Sequence, residues 1–73
     1  MSKMITKEIM GNRLKELRAK KNKTILQVSK DTGIGESALR NYECGYRIPN
    51  FQNMLTIADY YGKTVDSIFF RSK

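Results

Sequence analysis

The chain has 73 residues, which allows one small domain with a single core. Its 40% apolar content can fill that core, and it leaves nothing for a second catalytic or ligand-binding domain. With 14 Lys and Arg against 7 Asp and Glu the formal charge is +7, which suits a polyanionic partner; a solvated basic surface with no partner is the plainer alternative. There is no histidine and one cysteine, Cys44. The usual zinc ligand sets, an internal disulfide framework and a histidine-activated cysteine nucleophile are therefore all excluded. No phosphate-cradling glycine loop is present either, so the expectation is a protein that is not an enzyme and uses no metal or cofactor. No apolar run approaches membrane-spanning length, and the opening MSKMITKEIMGNRL lacks a signal-peptide core. The expected compartment is the cytoplasm, where a lone thiol stays reduced.

Taken in chain order, residues 1–5 read as a loose basic arm. Thr6 caps a first helix with Glu8 in its first turn, and Ile9, Met10, Leu14 and Leu17 form its apolar stripe. Lys15, Arg18, Lys20, Lys21 and Lys23 crowd its C-terminal half, where cations suit the helix dipole and also supply a positive field. Asn22 ends it. Thr24 and Gln27 have the spacing of a capping box, which starts a second helix with Val28 on its buried face and the small Ser29 where another helix must cross. Gly33 suits a tight bend. A third helix follows with Ile34, Ala38, Leu39 and Tyr42 facing inward, and Gly45 ends it. Two short helices joined at a glycine turn have the spacing of a DNA-reading helix-turn-helix, whose second helix enters the major groove.

Tyr46, Arg47, Ile48, Pro49 and Asn50 form a loop, since Pro49 blocks helix propagation through it. Asn50 caps a fourth helix, with Phe51, Met54, Leu55, Ala58 and Tyr61 expected on its inner face, and Gly62 closes it. Thr64 caps a short fifth helix that turns Val65, Ile68 and Phe69 inward. Residues 71–73 are a short basic tail. The fold class expected is all-α, a compact five-helix domain over residues 6–70.

The segments NRLKELRAKK, T..QV...TGI, SALRNYECGYRIPN and ADYYGKTVDSIF together resemble the lambda-repressor-like, Cro-type helix-turn-helix family, also called the xenobiotic-response-element type. The resemblance covers about residues 9–70. It implies that Glu36, Ser37, Arg40 and Asn41 lie on the base-facing side of the third helix. It implies phosphate contacts around Thr24, Ile25, Gln27 and Gly35 and along Tyr46, Arg47 and Asn50. It also implies a structural ion pair, Arg18 with Glu43. The chain departs from the family pattern in four places: Ile25 stands where glutamine is frequent, Ser29 where alanine is usual, Thr32 where an apolar residue is usual, and Gly35 where serine or threonine often caps.

Each residue also has a plainer reading. Glu36 can accept from the cytosine amino group or simply complement the helix dipole. Asn41 can pair with adenine or stand as a solvated amide; Ser37 can meet base or phosphate. Arg40 can reach phosphate, guanine or Glu36 four positions back. Tyr42 reads as core and Cys44 as an incidental thiol. Phe70, with Ile57 and Tyr60 near it, is the candidate dimer interface; alternatively Phe70 folds over its own core. A two-fold dimer would set two reading helices roughly 34 Å apart, about one turn of DNA.

The functional expectation is a sequence-specific regulator that binds double-stranded DNA, a repressor acting by occupancy as a homodimer, without a small-molecule effector. The alternative is a protein-interaction module, as in an antitoxin or adaptor, with DNA contact secondary.

Overall fold

The computed structural model describes residues 5–71. Among them are four α-helices, α1 (Lys7–Lys20), α2 (Ile25–Thr32), α3 (Glu36–Glu43) and α4 (Phe51–Tyr60), a closing π-helical segment Asp66–Phe70, and no strand. Of the expected arm over residues 1–5, residues 1–4 lie outside the described residues, as do the last two residues of the tail. Ile5 departs from the arm reading. Its amide donates to the Phe69 carbonyl (3.1 Å) and its side chain packs on the core.

Each α-helix starts where its cap predicts. The Thr6 hydroxyl accepts from Ile9 N, and the Asn50 side chain accepts from Asn53 N. At α2 both halves of the capping box form: Gln27 N donates to Thr24 Oγ1 (3.1 Å), and Thr24 N donates to Gln27 Oε1 (2.8 Å). Three helices end alike. After α3, Tyr46 N reaches the Asn41 carbonyl and Gly45 N the Tyr42 carbonyl, with Gly45 at φ +77°. This paired closure needs a left-handed residue, supplied there by glycine. Asn22 plays that role after α1, with Lys23 N on Arg18 O and Asn22 N on Ala19 O; Gly62 does so after α4.

The core gathers Met10, Leu14, Val28, Ile34, Leu39, Tyr42, Met54, Ile57, Ala58, Ile68 and Phe69. α1 packs against α3, and Gly11 marks the crossing. A Cβ there would collide with the Glu43 carbonyl oxygen and lie 3.1 Å from that of Tyr42. The α1 stripe is narrower than expected: Met10 and Leu14 are buried, while Ile9 is exposed.

The inner face of α4 differs from the expected one. Met54, Ile57 and Ala58 are buried, with Tyr61 packed beside them, whereas Phe51 (64% exposed) and Leu55 (44%) face solvent. Apolar residues at 51, 54, 55, 57 and 58 fit two helical stripes equally well, and packing selected the one rotated toward Ile57.

The fifth segment is wider than an α-helix. Arg71 N donates to the Asp66 carbonyl five residues back (2.8 Å). Thr64 still caps it, accepting from Ser67 N at Oγ1. Arg13 reaches across from α1 and donates from Nη1 to the carbonyls of Ser67 (3.0 Å) and Ile68 (3.2 Å). This ties α1 to the closing segment through its backbone carbonyls.

Candidate nucleic-acid interface

Gly33, at φ +80°, turns the chain between α2 and α3. Thr32 Oγ1 donates to the Val28 carbonyl (2.7 Å) and accepts from Ile34 N (3.2 Å). A hydroxyl where an apolar side chain is usual thus braces the turn itself.

At the start of α2, Thr24 and Gln27 are engaged with each other, so what that end offers outward is the amides of its first turn and the Gln27 side-chain NH2. Ile25 is half-buried and packs on the core. Its side chain is thus taken up in packing rather than offered to a phosphate; the exposed neighbour is Leu26 (47%). Gly35 caps α3 without a side-chain bond at ordinary φ, leaving the first-turn amides of α3 open to an anion.

On α3, Ser37 and Arg40 are exposed and Asn41 half-buried. Glu36 and Arg40 meet in an ion pair, Arg40 Nη2 to Glu36 Oε2 at 3.2 Å. Both side chains remain largely solvent-accessible, so the pair is worth only a few tenths of a kcal/mol, on the order of 0.3–0.5. It holds two base-reading candidates together at little cost to opening. Tyr42 is core, and its hydroxyl accepts from Asn53 Nδ2 (3.1 Å).

The α3 closure carries the next segment. The Asn41 carbonyl accepts from both Tyr46 N (2.9 Å) and Arg47 N (3.3 Å). Tyr46 and Arg47 therefore leave directly from the last turn of α3, and both are exposed. The Asn50 carbonyl-type oxygen is occupied in capping α4. Cys44 is exposed at the C-cap of α3.

Arg18 and Glu43 form the expected pair, and it is bidentate: Nε to Oε2 at 2.8 Å and Nη2 to Oε1 at 2.9 Å. Glu43 is 7% exposed. The hydrogen bond to Glu43 raises the Arg18 pKa against the opposing effect of burial. A third bond was not foreseen: Arg18 Nη1 donates to the Lys23 carbonyl (3.0 Å), the residue just before the α2 cap. One guanidinium thus ties α1 to the end of α3 and to the entry of α2.

The expected dimer trio does not assemble on the surface. Ile57 is 1% exposed, inside the core, and is unavailable to a partner. Tyr60 donates its hydroxyl to Asp31 Oδ2 (2.7 Å), with Lys21 Nζ 4.9 Å from its ring centre and Lys23 Nζ 3.9 Å from the same carboxylate oxygen. Desolvation, then the Asp31 bond and charge, push the Tyr60 hydroxyl up to about 12. Burial and the Glu43 charge do the same for Tyr61. Phe70 is half-buried and packs on its own core. Lys21 and Lys23, expected to suit the helix dipole and supply field, are thus also part of a local cluster.

Among the described residues no helix is long and apolar enough to cross a membrane. The helix-turn-helix family model matches residues 14–68. Two curated relatives come from Bacillus subtilis (strain 168). The HTH-type transcriptional regulator AnsR is 37% identical over 62 residues, 85% of this chain and 53% of that protein. The HTH-type transcriptional regulator ImmR is 35% identical over 57 residues, 78% of this chain and 45% of that protein. The chain therefore spans about half the length of the curated relatives it matches. Among solved structures, the SOS-response transcriptional repressor LexA from Eubacterium rectale superposes with a TM-score of 0.84 at 25% identity, covering 93% of this chain and 72% of that one. The restriction-modification controller protein C.AhdI from Aeromonas hydrophila gives 0.79 at 25% identity, covering 86% and 96%. With α2 and α3 forming the motif inside an all-helical core, the chain belongs to the lambda-repressor-like, Cro-type helix-turn-helix family.

Proposed function

We propose that the protein binds double-stranded DNA sequence-specifically and regulates transcription, as a repressor that acts by occupying its operator as a homodimer. The observation that carries the reading is the outer side of α3, where Ser37 and Arg40 are exposed and Glu36 and Asn41 half-buried beside them, while Leu39 and Tyr42 face the core. Glu36 accepts from cytosine, Arg40 donates to guanine or phosphate, and Asn41 pairs with adenine. The first-turn amides of α2 and α3, with Gln27, Tyr46 and Arg47, hold phosphates and set the register. The net charge of +7 draws the chain to the polyanion. AnsR and ImmR are transcriptional regulators by name, and LexA a repressor, which supports the same direction. Occupancy needs no effector pocket and no enzymatic step, and its place of action is the cytoplasm.

The test is selection of bound duplexes from a randomised pool at near-physiological salt, followed by sequencing. A near-palindromic motif is expected, and it should lose one position per half-site in Asn41→Ala. Retention without any motif would reduce the protein to a backbone binder and sink the sequence-specific reading.

A further inference from the structure

We propose that the outer face of α4, centred on Phe51 and Leu55, is the docking surface for a second copy of this chain. The proposal rests on the homodimer reading above and gives it a location other than the Ile57, Tyr60 and Phe70 trio. Phe51 and Leu55 are one helical turn apart on the same face, 64% and 44% exposed, and Ile48, 41% exposed, lies just before the helix. Large apolar side chains at this spacing form one patch.

Charge selects the occupant. The chain carries 14 cations, yet residues 48–62 contain no Lys or Arg, and their one charged residue is Asp59. Two copies at +7 each repel one another over most of their surfaces. They approach with least repulsion where cations are fewest, and α4 itself carries none. An acidic protein or DNA would instead be drawn to the basic remainder of the surface.

Area sets the strength. The three side chains expose roughly 300 Å² per copy, against about 800 Å² per partner in a standard stable interface. The free dimer is therefore weak, with a dissociation constant on the order of 10–1000 μM. Two adjacent half-sites on one duplex raise the effective concentration into the millimolar range and complete it.

The experiment is done without DNA, so its failure leaves base reading untouched. Sedimentation equilibrium is run from micromolar to millimolar protein, alongside an amide chemical-shift dilution series. Concentration-dependent association is expected, with shifts confined to residues near 48–55. Phe51→Asp with Leu55→Asp should raise the dissociation constant by at least about a hundredfold, since a two-fold contact brings the introduced carboxylates of the two copies together. The helical circular dichroism should be unchanged, because both positions are exposed. A chain that stays monomeric at millimolar concentration would overturn the proposal, as would shifts mapping elsewhere or a dimer that survives the double substitution. Should that variant unfold, the wild-type dilution series alone decides between these outcomes.

Discussion

The Arg18–Glu43 pair gives the most exacting test of how the helices are held. Arg18→Ala removes two charge-assisted bonds to Glu43 and one to the Lys23 carbonyl, and strands a carboxylate that is only 7% exposed. Removing one partner of such a buried pair costs about 3–5 kcal/mol. Glu43→Ala should cost less, roughly 2–3 kcal/mol, because the Arg18 side chain retains 25% exposure and its bond to Lys23. A domain of this size has roughly 4–11 kcal/mol in all, so Arg18→Ala should lower Tm by more than about 12 °C and leave a partly unfolded population at 37 °C. The double variant Arg18→Ala with Glu43→Ala should lose less than the sum of the two, with a coupling energy of about 2 kcal/mol or more. Urea unfolding followed at 222 nm measures all four proteins. Single variants each costing under about 1 kcal/mol, adding independently in the double, would refute the reasoning and class the pair with surface bridges.

Gly11→Ala should destabilise by about 1–3 kcal/mol despite the better helix propensity of alanine, since the new Cβ meets the Glu43 backbone; thermal unfolding checks this, and a neutral result would mean α1 and α3 separate easily. Arg47→Ala should weaken binding to all duplexes and flatten the log–log salt slope by roughly one unit; weakening on one sequence alone would make Arg47 a base reader instead. Tyr60 and Tyr61 should ionise late, near pH 12 rather than 10, in an absorbance titration at 295 nm. Because their folded pKa values are raised, the stability they contribute is complete below pH 10 and lost between pH 10 and 12; Tyr60→Phe should remove half of the late transition.

What was legible in the sequence was local. Thr24 with Gln27, Asn50 before Phe51, and the glycines at 33, 45 and 62 each act within a few residues, so spacing alone locates every α-helix. The Arg18–Glu43 pair came from family likeness, since 25 residues separate the two and no periodicity links them. The failures are non-local. Gly11 matters only because the Glu43 backbone arrives against it. Arg13 finds its carbonyls at Ser67 and Ile68, more than fifty residues away. Tyr60 meets Asp31 across the C-terminal ends of two helices. On α4, excess apolar residues made two faces equally plausible, which put Ile57 outside and Phe51 and Leu55 inside, the reverse of what is found. The exposed face of α3 was legible because its alternation of Leu39 and Tyr42 with Ser37, Arg40 and Asn41 admits one register. Its pairing of Glu36 with Arg40 was among the alternatives and is the one formed.

The central claim is that one face, built from the start of α2, the outer side of α3 and the loop after it, meets DNA. The measurement that tests it most directly is an amide chemical-shift titration with a 20-base-pair duplex at low salt, before any operator is known. The account predicts perturbations concentrated at residues 24–27, 35–41 and 46–47, with Ile68 and Phe69 unmoved. Perturbations centred on Lys15, Lys20 and Lys63, with α3 silent, would contradict it.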